Sequence, residues 1–220
     1  MIEMLGVLAI IGVLSVGGIA GYSKAMQKYR INKTIEQITL IAGNVRAFWG
    51  PQKNYIGVYC DGDSCSASGC SGYVVDADGN PGAANNGCPI HKKAKIFPDE
   101  MITVTDGKIM SITNPFGGGV MLDTDDKAKS GDEQAFGIIY RIGDNEEACI
   151  ELASQDWSNA QCQAVYISCE ECGPNYLFQT PVNIDTVVNK CAEVAEFGTK
   201  HNIEMEIVCD IDKKSRTFDN

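Results

Sequence analysis

The residues able to do chemistry in this 220-residue chain are ten cysteines, 29 acids and two histidines. Cys169-Glu-Glu-Cys172 has the spacing of a redox dithiol. A reactive thiol there wants an electropositive surround to lower its pKa, and two intervening acids do the opposite. The even cysteine set, Cys60, Cys65, Cys70, Cys88, Cys149, Cys162, Cys169, Cys172, Cys191 and Cys209, therefore reads as disulfides formed in an oxidising compartment. Their pairing cannot be read from the sequence. His91 and His201 supply too little imidazole for Cys/His zinc sites. Asp76-Ala-Asp-Gly-Asn80 and Asp123-Thr-Asp-Asp126 resemble pieces of calcium loops, but neither is followed by the closing glutamate, so both read as turns. No Ser/His/Asp set stands out, no glycine-rich phosphate loop follows a strand, and Gly117-Gly-Gly119 reads as a turn. The expectation is no catalytic residue, no metal and no cofactor. One acid remains unexplained: Glu3, at the head of an otherwise uncharged stretch.

That stretch, Met4 to Tyr22, is a run of 19 uncharged residues, close to the ~20 that cross a bilayer as a helix. A carboxylate inside apolar surroundings is expensive unless it lies at the interface or meets a cation, so Glu3 is either an interfacial acid or an acid kept for a partner. Beyond it, Ile31, Ile35, Ile38, Ala42, Val45 and Trp49 recur at alternating spacings of four and three, which is one face of a helix. Lys24, Lys28, Arg30, Lys33 and Glu36 occupy the other face, and Gly50-Pro51 ends the pattern. The result is one helix of nearly fifty residues, roughly 70 Å long, apolar all round in its first half and amphipathic in its second. Gly12, Gly17, Gly18 and Gly21 permit close helix packing, or opening of the helix where it leaves lipid.

Residues 51–93 are loop-like and rich in turn formers, with Cys60, Cys65, Cys70 and Cys88 as candidate staples. From about residue 95, short apolar runs at 101–105, 109–113, 119–122 and 135–142 read as strands, with Asp106-Gly107 as a hairpin turn. Helices are expected over 146–153 and 184–194, and a last strand over 202–208. The fold class is α+β, with an antiparallel sheet packed on the amphipathic half of the long helix. Three segments follow: 1–22, 23–50 and a disulfide-rich domain at 51–220. Hydrophobic content of 44% supports a real core, and a net charge of −11 argues against a nucleic-acid partner.

The opening residues Ile2-Glu-Met-Leu-Gly-Val-Leu-Ala-Ile-Ile-Gly12 resemble the N-terminus of type IV pilins and related pseudopilins, with Glu3 on the family glutamate. Lys95-Ile-Phe-Pro-Asp-Glu-Met101, Ile112-Thr-Asn-Pro-Phe-Gly-Gly-Gly-Val120 and Thr180-Pro181 ahead of Cys191 resemble type IVb pilins. The resemblance implies a major pilin, not an enzyme, polymerising with identical copies into an extracellular filament. It implies an assembly segment of Glu3, Met4, Leu5, Val7, Leu8, Ile10, Ile11 and Leu14, with Glu3 meeting the amino terminus of a neighbouring subunit. It further implies residues preceding Met1 that carry that amine, a Cys149–Cys191 disulfide, an inner-membrane precursor and a pilus assembly machinery as partner. A minor pilin or secretion pseudopilin is the alternative within that family. A secreted disulfide-rich binding or enzymatic domain, with 1–22 as its signal peptide, is the alternative outside it.

Overall fold

The structure is a computed structural model that describes residues 2–52, 54, 55, 58, 60, 61, 65, 66, 69, 70, 94–105, 108–124, 134–169, 175–197 and 203–210. For residues 2–11, 13–16, 60, 61, 65, 66, 69, 70, 105, 108–110, 124 and 197 it describes the backbone alone. Helix α1, Ile2–Trp49, is unbroken over 48 residues and passes directly into a 3-10 turn, Gly50–Gln52. The break comes where Pro51 removes a backbone donor. The helical period of the sequence places the core face: Ile31, Ile38, Ile41, Ala42, Val45 and Trp49 are each no more than 3% exposed.

Antiparallel strands carry the rest. Short strands β1, β2 and β3 cover Cys60–Asp61, Cys65–Ser66 and Gly69–Cys70. Strands β4 (Ile102–Thr105) and β5 (Lys108–Ile112) pair with Thr105 opposite Lys108, and the Asp106-Gly107 turn itself lies outside the described residues. The main sheet adds β6 (Val120–Thr124), β7 (Phe136–Arg141), β8 (Cys162–Cys169), β9 (Tyr176–Gln179) and β10 (Ile203–Cys209). Its order is β1-β6-β7-β10-β8-β9, so the last strand in the chain is inserted between β7 and β8. Neighbours Tyr140 and Met205, Ile138 and Ile207, and Phe136 and Cys209 face each other across β7 and β10. All six are buried beneath the helices.

Helix α2, Glu146–Ala153, starts at Asn145, whose side chain accepts a hydrogen bond from the Ala148 amide at 3.0 Å. Glu146 and Glu147 in its first turn complement the positive end of the helix dipole. Helix α3, Ile184–Phe197, runs three residues beyond the expected end. Strands β8 and β9 are additions to the sequence reading, which left 154–183 unassigned. The molecule is α+β: a long N-terminal helix, mixed helix and antiparallel sheet, and at least two disulfides.

Two disulfides are fully described. Cys149–Cys191 ties α2 to α3 across 42 residues of chain, and Cys162–Cys209 ties β8 to β10. Cys169 is also disulfide-bonded, to a partner outside the described side chains. Pairings at Cys60, Cys65, Cys70, Cys88 and Cys172 lie outside the described side chains.

The triple glycine has a specific geometry. Asn114 Oδ1 accepts from the amides of Phe116 at 2.8 Å and Gly118 at 3.2 Å, while its Nδ2 donates to the Arg141 carbonyl at 2.7 Å. Gly117 has φ +87°, and a Cβ on Gly118 would stand 2.0 Å from the Arg141 carbonyl oxygen. The turn therefore packs its backbone directly on the end of β7, which only glycine at 118 permits.

The transmembrane assignment of residues 1–22 falls mostly on side chains outside the described set. Among the described residues no helix is long and apolar enough to cross a membrane.

Candidate assembly surface

The two halves of α1 live in different surroundings. From Ile31 onward one face is buried in the domain; Met26 and Gln27 are half-buried; residues 17–25 are exposed all round the helix. Ile19 and Tyr22 are 70% and 68% exposed. Nothing lies within 4 Å of the place a Cβ would take on Gly12, Gly17, Gly18 or Gly21. Small residues along an exposed apolar helix let another helix approach its backbone closely. These glycines sit in continuous helix in the single chain. Glu3, Met4, Leu5, Val7, Leu8, Ile10, Ile11 and Leu14 share that helix, with side chains outside the described set.

Polar contacts clamp the second half of α1 to the domain at both ends. At the exit point, Gln27 Nε2 donates to Asn145 Oδ1 at 2.7 Å and Asn145 Nδ2 donates to Gln27 Oε1 at 3.1 Å. The next residue of α1, Lys28, pairs with Glu151 at 2.5 Å. At the far end, Arg46 Nε donates to both oxygens of Asp210, at 3.1 and 2.9 Å, and its Nη1 and Nη2 donate to the Ala160 and Gln161 carbonyls at 2.6 and 2.8 Å. The guanidinium lies 5.5 Å from the centroid of the Phe136 ring. Tyr55 donates its hydroxyl to Asp210, and burial first, then that carboxylate, pushes the Tyr55 pKa well above its usual range. A fork of five donors meeting a carboxylate and two carbonyls fixes the helix more firmly than a lysine would.

The flank of α1 opposite Lys28 carries a cleft of about 340 Å³ lined by Tyr29, Arg30, Lys33, Gln37, Glu100 and Asn114, among others. Lys33 bridges Glu100 at 3.0 Å and Glu36 at 3.1 Å, and its pKa is raised, first by the hydrogen bond to Glu100. Glu100 is correspondingly held below the usual carboxylate range, first by its own backbone amide and then by Lys33. Arg30 is exposed and makes no ion pair among the described residues.

Sequence reasoning singled out the bases of α1 as a polar face without finding their partners. Gln27, Asn145, Arg46, Tyr55 and Asp210 were not singled out at all. The one available signal was segregation of charge: residues 23–46 hold five bases and one acid. Among the described residues no group of three or more His, Cys, Asp or Glu side chains is placed to hold a metal. Of the calcium-like segments, Asp123 lies in β6, and Asp76, Asp78, Asp125 and Asp126 fall outside the described residues. No family model, no curated protein and no solved structure matches the chain.

Proposed function

We propose that this chain is the structural subunit of an extracellular filament, a major pilin resembling type IVb pilins, that polymerises through the first half of α1. The observation that carries this reading is the split personality of one unbroken helix. Its second half is built into a disulfide-closed domain, while residues 17–25 ahead of it are exposed all round, with Ile19 and Tyr22 bare. Moving one such side chain out of water is worth about 1.5–3 kcal/mol, so many copies bundling their free halves gain much from each neighbour. In this reading the globular domain lies outside a core of α1 segments, and the contact is heterologous, repeating without closing.

Before assembly, residues 1–22 hold the subunit at the inner membrane, from which the assembly machinery extracts it. Glu3 pairs with the amino terminus of a neighbouring subunit, since an acid and an amine buried among apolar helices must neutralise each other. Continuity of helix through residue 22 supports retention of 1–22 over its removal as a signal peptide. Glu3→Ala should lower filament yield at least tenfold while leaving the domain folded. Wild-type yield from that variant would overturn the role of Glu3, and an intact mass lacking some twenty N-terminal residues would overturn the filament reading.

A further inference from the structure

The bases of this acidic chain are gathered on α1. Residues 23–46 contain five bases and one acid, whereas everything else contains 13 bases against 28 acids. At about 100° of rotation per residue, Arg30 and Lys33 lie on one flank of the core-facing stripe and Lys28 on the other. The contacts agree: Lys33 reaches Glu100 on one side, and Lys28 reaches Glu151 in α2 on the other.

The second flank ends in an acidic turn. Asp144, Glu146 and Glu147 are all exposed, and none makes an ion pair or side-chain hydrogen bond among the described residues. The Gln27–Asn145 pair holds this turn against α1, and the Asn145 cap fixes its shape. On the first flank the Arg30 guanidinium has no ion-pair partner among the described residues and stands at a cleft of about 340 Å³, beside Lys33, whose charge Glu100 and Glu36 already balance. An unpaired guanidinium is the group best suited to bidentate capture of a carboxylate.

We infer that the Arg30 cleft is a docking site for the Asp144–Glu147 turn of a second copy of this chain. The cleft and the turn lie on opposite flanks of the same helix, so each copy offers both halves of the contact. Neither half can reach the other within one chain. Such an interface is head-to-tail and repeats from copy to copy. It joins globular domains side by side, separately from whatever the free half of α1 does, and it sets lateral register through charge. The inference rests on the filament reading and names a contact within that filament.

The test uses the full chain, produced in cells that polymerise it, with polymer quantified against monomer. Arg30 is exposed, so Arg30→Glu should leave the monomer folded, as judged by its circular dichroism and thermal transition. It should lower the polymer fraction about tenfold, and the pair Glu146→Lys with Glu147→Lys should do the same. Combining all three reversals should recover polymer to within about threefold of wild type. A wild-type polymer fraction from Arg30→Glu, or a combination no better than its parts, overturns the docking contact and leaves the filament reading standing. A wild-type chain that forms no polymer overturns both.

Discussion

Gln27 and Asn145 exchange two amide hydrogen bonds, 2.7 and 3.1 Å long, at the point where α1 leaves the domain. The same Asn145 oxygen caps α2 by accepting from Ala148. One side chain therefore fixes both the start of a helix in the domain and the angle at which the free half of α1 emerges. That angle decides how copies meet.

Asn145→Ala should remove cap and clamp together, at a cost of about 1–2 kcal/mol. Asn145→Asp keeps the cap and the hydrogen bond donated by Gln27, and should cost well under half as much. Urea unfolding of the two variants measures the difference. Equal losses would mean that the cap and the bond donated by Gln27 contribute nothing.

The Cys149–Cys191 bridge closes 42 residues of chain. On the loop-entropy relation, replacing both by serine should destabilise the domain by about 4 kcal/mol. The bridge joins α2, which carries the acidic turn, to α3, so the loss should also loosen that turn. Chemical denaturation under oxidising conditions reads the stability loss, and a change below about 1 kcal/mol would contradict a structural role.

Two buried tyrosines should respond in opposite ways to loss of the hydroxyl. Tyr55 hydrogen-bonds to Asp210, and a bond to a charged group contributes about 1.5–3 kcal/mol, so Tyr55→Phe should destabilise. The Tyr140 hydroxyl is fully buried with no partner among the described residues, so Tyr140→Phe should be neutral or stabilising. Thermal melts of the two variants side by side give the answer.

The same residues set the alkaline limit. Burial raises both tyrosine pKa values, with Asp210 adding to the effect at Tyr55. Below pH 10 both folded and unfolded chains hold these protons. Above it the unfolded chain releases them and the folded chain does not, so stability falls as pH rises. Tyr55→Phe removes one contributor and should flatten the fall in urea midpoint between pH 10 and 11. Parallel curves for variant and wild type would contradict this.

Glycines at different places should behave differently. Gly118→Ala forces a Cβ onto the Arg141 carbonyl oxygen and should cost about 1–3 kcal/mol. Gly43 lies in α1 with open space around it, so Gly43→Ala should gain about 0.5–1 kcal/mol. Midpoint shifts of the same sign would refute the geometric account.

Much of this architecture was legible in the sequence where one physical pattern dominates. The four-three spacing from Ile31 to Trp49 marked a helix face because only one side of that helix is buried. Strand β8 escaped because it is central, with both faces covered: Cys162-Gln-Ala-Val-Tyr-Ile-Ser-Cys169 shows no clean alternation. Strand β9 is only four residues long. Insertion of β10 between β7 and β8 is non-local, and with it go the Cys162–Cys209 bridge and the Arg46–Asp210 contact, whose partners are 47 and 164 residues apart. The triple glycine was readable as a turn, but not why position 118 must be bare, since the obstacle belongs to Arg141. The bases of α1 were visible as a polar face. Only the fold separates Lys28, paired with α2, from Arg30, left open on the other flank.

The central claim is that the free half of α1 is the polymerising element. Electron microscopy of surface material from cells producing the full chain, compared with cells producing residues 23–220, tests it most directly. The account predicts filaments whose core density is continuous helix from α1 in the first case, and folded, disulfide-bonded monomer in the second. Filaments formed equally well without residues 1–22, or a full chain that remains monomeric, would contradict it.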